Sequence, residues 1–184
     1  MDPARLALNP MLTTPALVGL VTLGVMMVAT AYTELRDGRI PNWITMPGLV
    51  IGLVTGYLPG GITLGQSLTG LLAGGGFLFF FYMFGGMGGG DVKLMAAVGA
   101  VVGYPTIVSV LMFTALLGGG MAVSILIWNR TLLFGLLRVF GRLRPGAESV
   151  EPDPVPDQES ARLPSVPYGL AIVGGCLVVL VLNT

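Results

Sequence analysis

Residues 84–100 read FGGMGGGDVKLMAAVGA: five of the six positions from Gly85 to Gly90 are glycine, and one acid, Asp91, then opens an apolar run. A carboxylate within a membrane-spanning segment is costly unless paired or hydrated, so an acid retained there marks a functional site by default. Glycine allows backbone conformations and close approaches that a side chain forbids. A peptide reaching a buried carboxylate needs such clearance, which makes Gly88, Gly89 and Gly90 candidate substrate-binding positions beside Asp91. The plainer reading has Asp91 capping a helix at its amino end, where acids are favoured. The glycines would then serve a flexible loop or close helix packing. Both readings of Asp91 can hold together. A phosphate-binding loop is excluded, because no Gly-Lys-Ser/Thr follows the glycines.

The elements that position this acid follow from composition. Of the 184 residues, 54% are hydrophobic and only 10% are charged, against about 25% charged in soluble domains. No charge falls in 6–33, 40–90, 94–129 or 163–184, and a spanning helix needs roughly 20 mostly apolar residues. The expectation is an all-α polytopic membrane protein, a single membrane domain of six transmembrane helices at about 16–34, 43–58, 64–84, 91–103, 107–128 and 167–183. Arg36-Asp37-Gly38, Pro59-Gly60-Gly61, the glycine cluster and Tyr104-Pro105 mark breaks between them. The fourth span is short, about 20 Å at the helical rise. Zero net charge and the lack of histidine argue against nucleic-acid binding and against a histidine metal site. One cysteine, Cys176, makes neither an internal disulfide nor a zinc cluster and reads as a packing residue. Ala29-Thr30-Ala31 fits a signal-peptidase pattern, but the amino end lacks a basic cluster, so the first apolar run is expected to stay as a span.

Charge placement predicts orientation. Arg36 and Arg39 follow the first span, and Arg130, Arg138, Arg142, Arg144 and Arg162 follow the fifth. The positive-inside rule puts both clusters in the cytoplasm, which requires an even number of crossings between them. Six crossings fit, with both termini outside and eight of the nine basic residues at cytoplasmic ends; a re-entrant fourth segment breaks the parity and ranks second. This topology brings Glu34, at the end of the first span, to the same membrane edge as Asp91. Residues 131–144 read as an interfacial amphipathic helix. Residues 145–163, with four prolines and five acids, read as a disordered linker.

GMGGGDVKLMAAVGAVVG, residues 86–103, resembles the GxGD segment of bacterial prepilin peptidases, the intramembrane aspartic proteases of type IV pilus and type II secretion systems. ELRDGRIPNWIT, residues 34–45, is similar to the family's other acidic motif, an aspartate followed six residues later by Ile/Leu-Pro-Asn/Asp; here Ile40-Pro41-Asn42 stand in place. VPYGLAIVGG, residues 166–175, is similar to the family's final helix. The resemblance spans about residues 20–183, and its motif variants and small size look most like the tight-adherence (Flp) pilus branch. Larger relatives carry a cytoplasmic insertion with clustered cysteines linked to amino-terminal methylation; its lack here implies cleavage without N-methylation. One departure stands out: the family's first catalytic aspartate aligns with Glu34. Asp37 lies three positions later, where Asp-Gly reads as a solvated turn beyond the helix end. The added methylene of Glu34 moves the carboxylate by about 1 Å unless the backbone compensates, and about 1 Å of misplacement can cost on the order of a hundredfold in rate.

The resemblance implies an aspartic-type endopeptidase in the bacterial inner membrane, with Glu34 and Asp91 as the catalytic pair on the cytoplasmic side. Two such carboxylates share one proton, activating water and polarising the scissile carbonyl, and the titration belongs to the pair. No metal or other cofactor is required. The implied partners are a prepilin or pseudopilin leader peptide, its apolar helix, which would dock against the glycine-rich third and fourth spans, and the lipid bilayer. The oligomeric state stays open. Lys93 either contributes to substrate binding beside the pair or merely snorkels to the interface. Asn42 either bonds near the acids or caps the second helix. Pro167-Tyr168-Gly169 either lines the site or simply starts the last helix. Two other functions compete. A catalytically impaired homologue, with Glu34 in place of aspartate, would act as a pilin-binding or assembly factor. A proton-coupled transporter using Asp91 is weaker, since transporter sites lie near the midplane.

Overall fold

A computed structural model describes residues 14–85, 87–128 and 168–182. Among them the chain forms six helices: α1 (Thr14–Asp37), α2 (Asn42–Tyr57), α3 (Leu64–Met83), α4 (Gly89–Val102), α5 (Thr106–Trp128) and α6 (Tyr168–Leu182). The all-helical expectation holds, with every helix within a few residues of its predicted bounds. Three stretches, Thr14–Asp37, Leu64–Met83 and Thr106–Ser124, are helical, long and apolar enough to cross a membrane, and α6 is a shorter apolar helix. The described residues as far as Leu117, with 168–182, make one compact unit; 118–128 belong to a second. The amphipathic segment expected at 131–144 and the linker at 145–163 lie outside the described residues.

The short α4 is the centre of the first unit. Met95, Ala97 and Ala100 are fully buried, and α1, α2, α3 and α6 all pack on this helix, α3 most extensively. Backbone meets backbone at that contact. A Cβ on Gly70 would collide with the carbonyl oxygen of Gly99, and a Cβ on Gly99 with that of Gly70. A Cβ on Gly74 would lie 2.8 Å from the Met95 carbonyl oxygen. Small residues at such positions let helices approach closely enough for dispersion to hold them without help from water. Gly70, Gly74, Gly75 and Gly99 are therefore covered by the α3–α4 contact itself.

One end of this layer is closed by hydrogen bonds. The fully buried Ser67 hydroxyl lies 2.7 Å from the Ala100 carbonyl and 3.2 Å from that of Gly52, so its proton serves α4 and α2. Thr63 and Gln66 form a reciprocal capping box at the start of α3, which satisfies donors that a helix terminus otherwise leaves orphaned. The Tyr104 N–H then donates to the Gln66 carbonyl at 2.9 Å. Cys176 is buried in α6, as expected of a packing residue.

Candidate active site

The opposite end of the layer holds the acids. Helix α1 runs on past Glu34 to Asp37, and Gly38, with φ +61°, ends it by donating its N–H to the Glu34 carbonyl at 3.0 Å. A left-handed residue after a helix favours glycine. Asp37 is thus the last helical residue and not part of a turn beyond the helix. Its side chain is largely exposed beside Arg36 at 3.9 Å, consistent with a solvated acid.

Glu34 is only half-exposed. Its Oε1 accepts a hydrogen bond of 2.9 Å from the backbone N–H of Gly169, in the first turn of α6. Its Oε2 is buried and has no hydrogen-bond partner among the described residues. Thr30, one turn earlier on the same face, likewise has a buried hydroxyl without a partner.

Asp91 is not the N-cap residue of α4, but its carboxylate folds back to the backbone of Gly88, which is. The helix begins two residues before it, with Gly88 as a cap that has no side-chain bond. Asp91 instead lies in the first turn, where a carboxylate complements the exposed backbone N–H groups. It is half-buried. The two carboxylates, from distant parts of the chain, come to the same end of the bundle, with Ile40 lying against Gly90 beside Asp91 and against Gly169 beside Glu34.

The three preceding glycines divide their work. A Cβ on Gly88 would stand 3.1 Å from Asp91 Oδ2, crowding the carboxylate. A Cβ on Gly90 would stand 3.1 Å from Ile40 Cβ, so this glycine lets α4 start against the α1–α2 connection. Gly89 faces the Tyr82 ring with ordinary space, 3.5 Å from an added Cβ. Of the three, Gly88 bears directly on the acid.

Asn42 and Lys93 are brought together with each other. The Lys93 ammonium donates to Asn42 Oδ1 at 3.0 Å, and both side chains are exposed. Two residues of helix amount to about 200° of rotation, so Lys93 leaves α4 on the side away from Asp91. Asn42 does not cap α2: that position belongs to Pro41, without a side-chain bond. Sequence reading gave no role to Ile40 and only an open one to Gly169. Ile40 lies between the first turns of α4 and α6, close to both Gly90 and Gly169. Its place in the Ile40-Pro41-Asn42 motif was the available signal.

Residues 21–123, which include both acids, match the type IV leader peptidase family. The chain belongs to this family. It is 36% identical over 129 residues to the prepilin leader peptidase/N-methyltransferase of Escherichia coli (strain K12), covering 65% of this chain and 57% of that protein. It is 33% identical over 108 residues to the protein of that description from Aeromonas hydrophila, covering 55% of this chain and 37% of the relative. The chain therefore spans between about a third and somewhat over half the length of these curated relatives. No solved structure matches it. The prepilin-peptidase resemblance seen in the motifs is thus borne out at the level of the family.

Proposed function

We propose that this chain is an intramembrane aspartic-type endopeptidase that removes the leader peptide of type IV prepilins of the Flp-like branch, without N-methylation. One observation carries the reading: in a chain of the type IV leader peptidase family, Glu34 and Asp91 come from different helices to one end of the bundle, on either side of Ile40, which lies against both Gly90 and Gly169. Six crossings with the acids at the cytoplasmic edge of the inner membrane agree with the exposed Arg36 and Arg39 at this end and with the positive-inside rule. The Ile40-Pro41-Asn42 and Pro167-Tyr168-Gly169 motifs support the Flp-like branch.

In this mechanism the pair holds one proton. The ionised member takes a proton from water as the water oxygen attacks the scissile carbonyl carbon, and the protonated member gives its proton to the carbonyl oxygen. As the tetrahedral diol collapses, the C–N bond breaks, the proton taken from water passes to the leaving amine, and a diol hydroxyl returns its proton to the member that had given one. The products are a leader carboxylate and a mature amino terminus. Gly88 leaves room for the peptide backbone at Asp91, and the exposed Asn42–Lys93 pair, on the other side of α4, offers polar contacts only to leader residues farther from the scissile bond.

The test is leader removal in membranes from a prepilin that the Escherichia coli relative cuts, resolved on a gel. The chain as written should shorten the precursor, and Asp91→Asn should slow this by roughly 10²–10⁴-fold. Cleavage that appears only after Glu34→Asp would identify an impaired homologue instead. Failure of both the chain and Glu34→Asp, beside a cutting relative, would overturn the protease reading.

A further inference from the structure

We propose that the first turn of α6 is a clamp matched to the glutamate at position 34, with Gly169 as the positioning residue that takes up the extra methylene. The catalytic consequence rests on the protease reading; the clamp itself does not.

The first four N–H groups of a helix have no partner within it. Gly169 is the second residue of α6, so its N–H would be orphaned unless something outside the helix accepted it. Glu34 Oε1 does so, at 2.9 Å and across 135 positions of sequence. Gly169 is buried at this contact. A Cβ there would collide with Glu34 Oε2 and stand 2.9 Å from both Glu34 Cδ and Ile40 Cδ1. No residue with a side chain fits while Glu34 keeps this conformation.

The bond fixes one carboxylate oxygen and leaves the other, Oε2, without a partner among the described residues. Oε2 is itself buried against Gly169, so the first turn of α6 encloses both carboxylate oxygens. It also answers the length problem posed by the sequence. An aspartate, one methylene shorter, would end about 1 Å short, away from the Gly169 N–H and clear of the space a Cβ at 169 would fill. Glutamate at 34 and glycine at 169 are therefore chemically coupled, and each loses its fit when the other changes.

The test is a double-mutant cycle on the full chain: wild type, Gly169→Ala, Glu34→Asp and the double variant, with Gly169→Ala/Ile40→Val as a control. Each is read by the kcat and KM of leader removal in membranes and, separately, by thermal unfolding in detergent. Gly169→Ala alone should lower kcat on the order of a hundredfold with little change in KM, and should lower the Tm. In the Glu34→Asp background the same substitution should change kcat by no more than about threefold, as expected of uncoupled sites, and should leave the Tm in place. Equal losses in both backgrounds would overturn the clamp, as would full recovery by Ile40→Val, which would assign the effect to crowding of Ile40. If no variant cuts, the melting data alone decide. Coupling in Tm then upholds the clamp and counts against the protease reading, and its absence overturns the clamp. Cleavage without coupling overturns the clamp and leaves the protease reading standing.

Discussion

The two ends of the layer formed by α2, α3 and α4 treat their polar groups in opposite ways. At the end holding Thr63 and Gly103, a capping box closes α3, the buried Ser67 hydroxyl serves two helices, and the Tyr104 N–H finds the Gln66 carbonyl. At the end holding Gly88 and Asp91, the N-cap of α4 is a glycine with no side chain to offer, and a buried oxygen of Glu34, on the neighbouring α1, has no partner among the described residues. An unsatisfied buried polar atom carries a real penalty, about 1–3 kcal/mol and more for a charged group. The requirement is met at one end of this layer and left unmet, on the adjoining α1, at the other. The closed end holds the helices together, and the open end keeps its acids available.

The strongest challenge to this contrast is to force α3 and α4 apart. Gly99→Leu places a side chain against the Gly70 carbonyl, and overpacking typically costs about 1–3 kcal/mol and occasionally more, here toward the upper end because both contacting groups are backbone. The expected result is loss of the cooperative melt in detergent; a Tm near that of the wild type would show that the contact is looser than described. A finer test is Ser67→Ala, which removes a hydroxyl from the closed end. It should cost about 1–2 kcal/mol, read as a lower Tm at unchanged kcat. A fall in kcat at constant Tm would mean that the two ends do not divide structure from chemistry. The smallest effect is expected at the rim. Asn42→Ala removes the acceptor of the Lys93 bond and should raise KM by less than about threefold, under about 1 kcal/mol, without moving the Tm. A lower Tm at unchanged KM would make the pair structural.

The helices were legible because apolar runs are long and the breaks between them carry glycine, proline or charge. Their ends were less so. Helix α4 takes in Gly89 and Gly90 despite glycine's poor helix propensity, with Gly90 packed against Ile40 and Gly89 facing the Tyr82 ring. Helix α1 carries its last acid to Asp37 because charged side chains at that end meet water. The meeting of Glu34 and Asp91 could be read from span parity alone. Which glycines would be covered could not, since that depends on the crossing register of α3 on α4, which no local pattern encodes. The cap of α2 was misplaced by one residue for a related reason: Asn42 has the chemistry of a cap, but its side chain is engaged by Lys93. The bond from Gly169 to Glu34 was out of reach of any window along the chain.

From Leu94 to Gly103 no residue of the α4 segment is exposed. A helix of 14 residues enclosed by other helices does not have to match the thickness of the surrounding hydrocarbon, because lipid mismatch acts on the segments that touch lipid. Thinner or thicker bilayers would tilt or stretch the surrounding helices first. The depth of Asp91 is then set by its protein neighbours, so the position at which a bond is cut would stay constant from one lipid composition to another.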